Sequence, residues 1–241
     1  PTLELLFTTG EEHFCVGAKA FDAQRLQSKT AYVMDLSGPV GDCAVAAPTL
    51  ITFSAEVMGK AAHAGFAPED GVHAIQVAAA AVANLPSGRW GDVTVNVGTI
   101  SGGRATNIVP DSCTVTGEIR ALCHQDALDR LNEIHSEFVE QAQAADAKLN
   151  FNHTIHITGY RVDTDAPVAQ RFKRACATVG VTPRFTDTYG GSDCNILSTH
   201  GIQGLVVATA MNNCHAVNEY TTVEELCKAG RLAQALMEKQ D

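Results

Sequence analysis

The strongest constraint on the fold is a change of grammar part-way along the chain. From Leu50 the apolar residues fall into strict alternation: Ile51, Phe53, Ala55 and Val57 are interleaved with Thr52, Ser54, Glu56 and Met58. The same period of two recurs at Val93, Val95 and Val97, at Cys113, Val115 and Ile119, and at Leu149, Phe151, His153, Ile155 and Ile157. Side chains on a strand point alternately to opposite faces, so this pattern marks antiparallel strands with one face buried and one wet. Two helical stretches separate them, an alanine-rich one over 71–85 and a second carrying Leu128, Leu131, Ile134, Phe138 and Ala142 on one stripe. The order β-α-β-β-α-β predicts a ferredoxin-like α+β domain over about 48–158.

The flanks read differently. Residues 2–7 form an apolar run broken only by Glu4, which predicts a short strand buried on both faces; Val16 to Phe21 opens a helix, and Ala31-Tyr32-Val33-Met34-Asp35 is a second strand. After Tyr160 come a helix over Ala166 to Gly180, a buried strand around Leu205 to Ala210, and the capping box Thr222-Val223-Glu224-Glu225. That box opens a C-terminal helix with Leu226, Ala229, Ala233 and Leu236 on one side. The expected architecture is an α/β domain split into 1–47 and 159–241 by the inserted domain.

A formal charge of −10 on 241 residues argues against nucleic acid or an anionic membrane as partner, since both select basic patches. The eight cysteines show no CxxC spacing, which excludes a zinc ribbon and fits free thiols in a reducing cytoplasm. No signal peptide or membrane-length apolar run is visible, and a start at Pro1 without methionine reads as a trimmed or processed piece.

Glu11 and Glu12 follow the first apolar run in Thr8-Thr9-Gly10-Glu11-Glu12. Neighbouring carboxylates raise each other's pKa, and outside a freely solvated loop a cation is the usual remedy. A metal held by one carboxylate while the other handles a proton would fit, as would an ordinary surface pair. Their position just before a helix places them near its partially positive end. Asp35 ends its strand, where α/β folds place ligands or where a turn is capped. His215 stands in a loop beyond the Leu205–Ala210 strand, as a zinc ligand or a solvated residue. The turn Gly190-Gly191-Ser192-Asp193-Cys194-Asn195 could offer backbone N–H groups to an anion, with Gly191 and Ser192 as the candidates, or be only a turn. On the insertion, His63 lies among Gly59, Ala61, Ala62, Ala64 and Gly65, small residues that permit close approach. Asn107 and Arg120 are further candidates, each with an ordinary turn or surface alternative. His124 and the pair His153 and His156 are set aside, the first as part of a helix start and the others as facing opposite sides of one strand.

Together, Thr8 to Glu12, Asp35, Gly59 to Gly65, Ala105 to Asp111, Gly190 to Asn195 and His215 to Glu219 resemble, in order along the chain, the co-catalytic zinc peptidase family. That family includes the aminoacylases, carboxypeptidase G2-like enzymes, succinyl-diaminopimelate desuccinylase and peptidase T. The Gly-Gly-Ser-Asp-x-Asn turn and the His-x-x-Asn-Glu-Tyr stretch are most similar to its peptidase T branch. The resemblance implies a split catalytic domain with an inserted lid and dimerisation domain, a homodimer, and two zinc ions about 3.5–4 Å apart sharing a water. It implies Glu11 as general base, Glu12 and His215 on one zinc and Asp35 on the other. It further implies His63 lent across the dimer interface to the scissile carbonyl, with Asn107 and Arg120 holding substrate. The family's first histidine ligand and bridging aspartate come from an earlier segment that has no counterpart here. One zinc or none is therefore expected in this chain, which is expected to be inactive by itself. The implied reaction is hydrolysis of an amide bond in a small peptide by a di- or tripeptidase. N-acyl amino acid deacylation and a non-catalytic dimerising module are the alternatives.

Overall fold

The structure, a computed structural model, describes residues 3–238. The chain divides into two compact units, one built from both ends of the chain up to Pro48 and from Ile157 onward, the other from Thr49–His156.

In the first unit a single turn of 3-10 helix over Glu11–His13 leads into the short α1 (Val16–Ala20). Strands β1 (Thr30–Ser37) and β2 (Asp42–Ala47) follow. Residues 3–7 are not a strand: they lie outside both sheets, with Leu3, Leu5 and Phe7 exposed, Phe7 at 89%. Residue 2, the start of the expected strand, lies outside the described residues. Apolar content alone does not make a strand; its N–H and C=O groups must find a ladder partner. β2, by contrast, is a continuous run of small buried residues from Cys43 to Ala47 that no alternation flags.

The second unit runs β3 (Thr49–Met58), α2 (Ala74–Asn84), β4 (Gly88–Trp90), β5 (Val93–Gly102), β6 (Ser112–Ala121), α3 (His124–Ala144) and β7 (Lys148–Ile157). The sheet order is β4-β5-β6-β3-β7, with β3–β6 and β5–β6 antiparallel. Without the three-residue β4 this is the ferredoxin-like order. Ile51, Phe53, Ala55 and Val57 from β3 meet Val77, Ala78 and Ala81 of α2 and Leu131, Ile134 and Phe138 of α3 in one core. The helix expected from Gly71 begins at Ala74, because Pro68–Asp70 form a 3-10 turn and His73 caps the helix by accepting from Gln76 N–H through Nδ1. The alternation of β7 fades at Ile155, which is 40% exposed.

The chain then returns to the first unit through β8 (Tyr160–Arg161), α4 (Pro167–Val179), β9 (Arg184–Asp187), α5 (Asp193–Thr199), β10 (Gln203–Met211) and α6 (Val223–Met237). Its sheet runs β1-β10-β2-β8 with β9 also on β2; β1 and β10 are parallel, so their carboxyl ends emerge together. Phe172 of α4 and Leu232 of α6 pack with Cys43, Leu205 and Val207 on one side of the sheet. Ala44, Cys194 and Val206 form a smaller cluster. On α6 the buried side is Ala229, Leu232, Ala235 and Leu236; Leu226, expected on that stripe, is 57% exposed. Thr222 caps α6 by accepting from Glu225 N–H, while the reciprocal capping box forms at α5, between Ser192 and Asn195.

Candidate active site

The acidic turn is shaped by backbone bonds. Gly10, at φ 66°, precedes Glu11–His13, and Phe14 and Cys15 follow at φ 59° and 58°. Cys15 N–H donates to the Glu11 carbonyl at 2.8 Å and Gly17 N–H to the Thr9 carbonyl at 2.9 Å. The first N–H groups of α1 are therefore spent on the preceding turn, and do not point at the two carboxylates as a helix-end reading supposes. A Cβ added at Gly17 would lie 2.3 Å from the Thr9 carbonyl oxygen, so only glycine lets α1 seat on the turn.

The carboxyl ends of β1 and β10 supply the other groups. Asp35 is near the end of β1, whose Ser37 pairs with Met211 of β10. Beyond β10 the chain loops and closes through an Asn212–Tyr220 bridge. Within that loop His215 adopts φ 66°, and its N–H donates to Glu219 Oε2 at 2.9 Å. Left-handed conformations strain non-glycine residues and gather at functional sites. Ala210, Asn213 and His215 share this conformation with Phe14 and Cys15; Asp146 is the sixth such residue among those described.

These segments converge. His215 Nδ1 stands 3.6 Å from Glu12 Oε1, both side chains open to solvent. Loss of hydration, then the charges of Asp35, Glu12 and Asp193, raises the Glu11 carboxyl above its usual range. Loss of hydration, then Asp193 and Glu12, raises Asp35, against which His215 pulls downward. Asp193, at the start of α5, accepts a hydrogen bond from the Thr8 hydroxyl through Oδ2, and its buried Oδ1 has no partner. Asp193 thus belongs to the acidic group, although nothing in the sequence distinguishes it from an ordinary first-turn aspartate. Glu219 was likewise unassigned and here holds the His215 backbone.

Among the described residues no trio of His, Cys, Asp or Glu stands close enough to hold a metal ion. The donor chemistry nevertheless suits one: carboxylate and imidazole are zinc ligands, Glu12 and His215 already face each other, and Asp193 Oδ1 is an orphaned acceptor.

Three N–H groups of the Gly190–Asn195 turn are spent locally. Gly190 N–H donates to Thr188 Oγ1, Ser192 N–H to Asn195 Oδ1, and Cys194 N–H to Ser192 Oγ. Gly191 is where Ile157 packs, a Cβ there lying 2.3 Å from Ile157 Cδ1. The N–H of Ser192 is therefore not offered to an anion, as the sequence reading supposed. Asn195, wholly buried, donates to the carbonyls of Pro48 and Thr158, tying down both points where the chain leaves and re-enters this unit.

In the second unit, His63 and Asn107 lie on two loops zipped together: Val109 N–H donates to the Ala62 carbonyl at 2.9 Å and Ala64 N–H to the Asn107 carbonyl at 3.0 Å. The His63 ring stacks on Phe66 with centroids 4.2 Å apart. Arg120 sits at the other end of β6 from the Asn107 loop, its Nε donating to Glu118 Oε1 at 2.8 Å. The structure thus brings His63 and Asn107 together and leaves Arg120 apart from them within this unit.

Residues 45–147 match the model of the peptidase dimerisation domain. An uncharacterised Bacillus subtilis protein, YqjE, is 33% identical over 99% of this chain and 64% of its own length. The crystal structure of aminopeptidase PepT from Bacillus cereus superposes with a TM-score of 0.91 at 37% identity, covering 95% of this chain and 62% of that one. A tripeptidase from Staphylococcus aureus gives 0.92 at 28% identity, covering 95% and 61%. The chain spans less than two thirds of the length of each of these proteins. The chain thus matches proteins of one kind across nearly all of its residues, carries the M20 peptidase dimerisation domain over residues 45–147, and is similar to the peptidase T-like branch of that family.

Proposed function

We propose that the protein hydrolyses the amide bond of small peptides as a metal-dependent di- or tripeptidase. The observation that carries this reading is the approach of Glu12 and His215, from opposite ends of the chain, to 3.6 Å beside the raised carboxyl of Glu11. Glu12 and His215 would hold one zinc ion and Asp35 a second, supplying an acidified water and positive charge for the developing oxyanion. Glu11 takes the proton of the attacking water and returns it to the departing amine; a carboxyl raised above its usual range is suited to that exchange. His63, given by a second copy through the dimerisation domain, donates a hydrogen bond to the scissile carbonyl oxygen, and Asn107 and Arg120 orient the substrate. The described cysteines are all unpaired, which suits a reducing compartment such as the cytoplasm, and no described helix is long and apolar enough to cross a membrane.

The test is hydrolysis of a tripeptide against an N-acetylated amino acid by the zinc-loaded complete protein and its Glu11→Gln variant, with this chain by itself, expected to be inactive, as the comparison. Tripeptide cleavage that Glu11→Gln abolishes, with metal content retained, is the expected result. Preference for the acetylated substrate would make the protein a deacylase, and loss of metal in Glu11→Gln would exchange the roles of Glu11 and Glu12.

A further inference from the structure

His63 is exposed, yet its ring is held on two sides by residues that follow it directly. Gly65 N–H donates to His63 Nδ1 at 3.1 Å. A backbone N–H can only donate, so Nδ1 must be bare and the neutral ring must carry its proton on Nε2. Phe66, itself 85% exposed, covers one ring face at 4.2 Å with the planes 27° apart. An aromatic side chain left so open to water gains little from burial, and its one described ring partner is this imidazole. The backbone beneath both is fixed: Phe66 N–H and Ala67 N–H donate to the His63 carbonyl, and Ala64 is bonded to Asn107.

We propose that Gly65 and Phe66 are positioning residues that lock His63 as a single tautomer, presenting Nε2–H outward as a hydrogen-bond donor. The consequence for catalysis rests on the peptidase reading above; the tautomer itself does not. A ring locked this way can donate to a carbonyl oxygen or to the oxyanion that replaces it. It cannot act as a base through Nε2, nor bind a metal there without first losing the proton. Gly65 is required for its N–H and not for lack of a side chain, because a Cβ there would lie 3.6 Å from the ring, an ordinary contact. Gly65→Ala therefore keeps the lock, and Gly65→Pro removes it. The sequence showed only small residues around the histidine; the structure shows that one of them sets its proton.

The test is nitrogen NMR of the imidazole rings in the whole chain, with the urea-unfolded chain as the mixed-tautomer reference. Folded wild type and Gly65→Ala should show Nδ1 at the shift of an unprotonated ring nitrogen and Nε2 at that of a protonated one. Gly65→Pro should move both toward the unfolded reference. Phe66→Ala should keep the tautomer but narrow the ring signals through faster motion, and Phe66→Tyr should restore wild-type widths. Folded wild type giving the reference shifts, or a proton on Nδ1, overturns the proposal. So does a Phe66→Ala ring as rigid as wild type. In the complete protein, tripeptide turnover by Phe66→Ala should fall about three- to tenfold in kcat with KM nearly unchanged, and Phe66→Tyr should recover it. Absence of turnover in the complete wild-type protein would sink the peptidase reading and leave the ring shifts to decide the tautomer.

Discussion

Two helical glycines separate a packing requirement from a helix propensity. Gly17 in α1 has no room for a side chain: a Cβ would lie 2.3 Å from the oxygen and 2.5 Å from the nitrogen of Thr9. Non-bonded heavy atoms rest at about 3.5–4.0 Å, so Gly17→Ala forces α1 and the Thr9 backbone apart by roughly 1 Å. Overpacking of that size costs about 1–3 kcal/mol, against which the better helix propensity of alanine returns about 1 kcal/mol. Gly230 in α6 is exposed with nothing within 4 Å of an added Cβ, so Gly230→Ala gains that last term unopposed. Urea unfolding followed by circular dichroism should show Gly17→Ala less stable than wild type by up to about 2 kcal/mol and Gly230→Ala more stable by about 0.5–1 kcal/mol. Because Thr9 adjoins Thr8, which holds Asp193, and leads into Glu11, the same displacement should cost the proposed peptidase activity of the complete protein about a hundredfold in kcat/KM. Equal stability of the two variants would refute the claim that the turn is wedged against α1.

Other consequences follow from burial. Asn195→Ala removes three hydrogen bonds and strands the buried carbonyl of Pro48; it should cost about 2–4 kcal/mol by urea unfolding. Thr222→Ala removes the cap of α6 and should cost about 1 kcal/mol in the same assay. Burial pushes the thiols of Cys176 and Cys194 up to about 11 and about 12, and Cys43 higher still. At pH 8 Cys176 is then thiolate in roughly one molecule per thousand, and the fraction rises tenfold per pH unit until the pKa is reached. A disulfide reagent should label the exposed Cys123 and Cys227 at once, and Cys43, Cys176 and Cys194 only as the chain unfolds. Rapid native labelling of Cys43, Cys176 or Cys194 would contradict the burial.

The inserted unit was legible because its sheet is covered on one side only. Each of β3, β5 and β6 alternates, and α3 carries its apolar residues on one stripe, so local pattern and tertiary burial agree. β4 escaped because its three residues are all exposed and carry no period. In the other unit the signal is composition rather than alternation, and composition misleads in both directions. Leu3 to Phe7 look buried and are not, while Cys43 to Ala47 are small enough to look like a loop and form a central strand. What decides is whether a neighbouring strand takes the hydrogen bonds, a long-range fact that no window of sequence contains. Leu226 shows the same limit on a helix: its spacing is correct for the stripe, but the apolar side of α6 turns toward Leu232.

At the site, order along the chain was informative where single residues were not. Glu11, Glu12, Asp35 and His215 each admit an ordinary explanation alone, yet the fold gathers all four into one electrostatic neighbourhood. The glycine-led turn shows why motif shape is weaker than motif company. A run such as Gly190-Gly191-Ser192 can cradle an anion only with unspent N–H groups, and here Gly190 N–H goes to Thr188 Oγ1 and Ser192 N–H to Asn195 Oδ1. That same exchange frees the Asn195 amide to hold Pro48 and Thr158, and sets Asp193 at the head of α5 where Thr8 reaches it. The turn therefore acts on the acidic cluster through structure: it fixes the strand ends and the aspartate whose charge adds to the lost hydration that raises Glu11 and Asp35. A change that breaks the cap, such as Asn195→Ala, should for that reason impair the site as well as the fold, even though Asn195 touches none of the four.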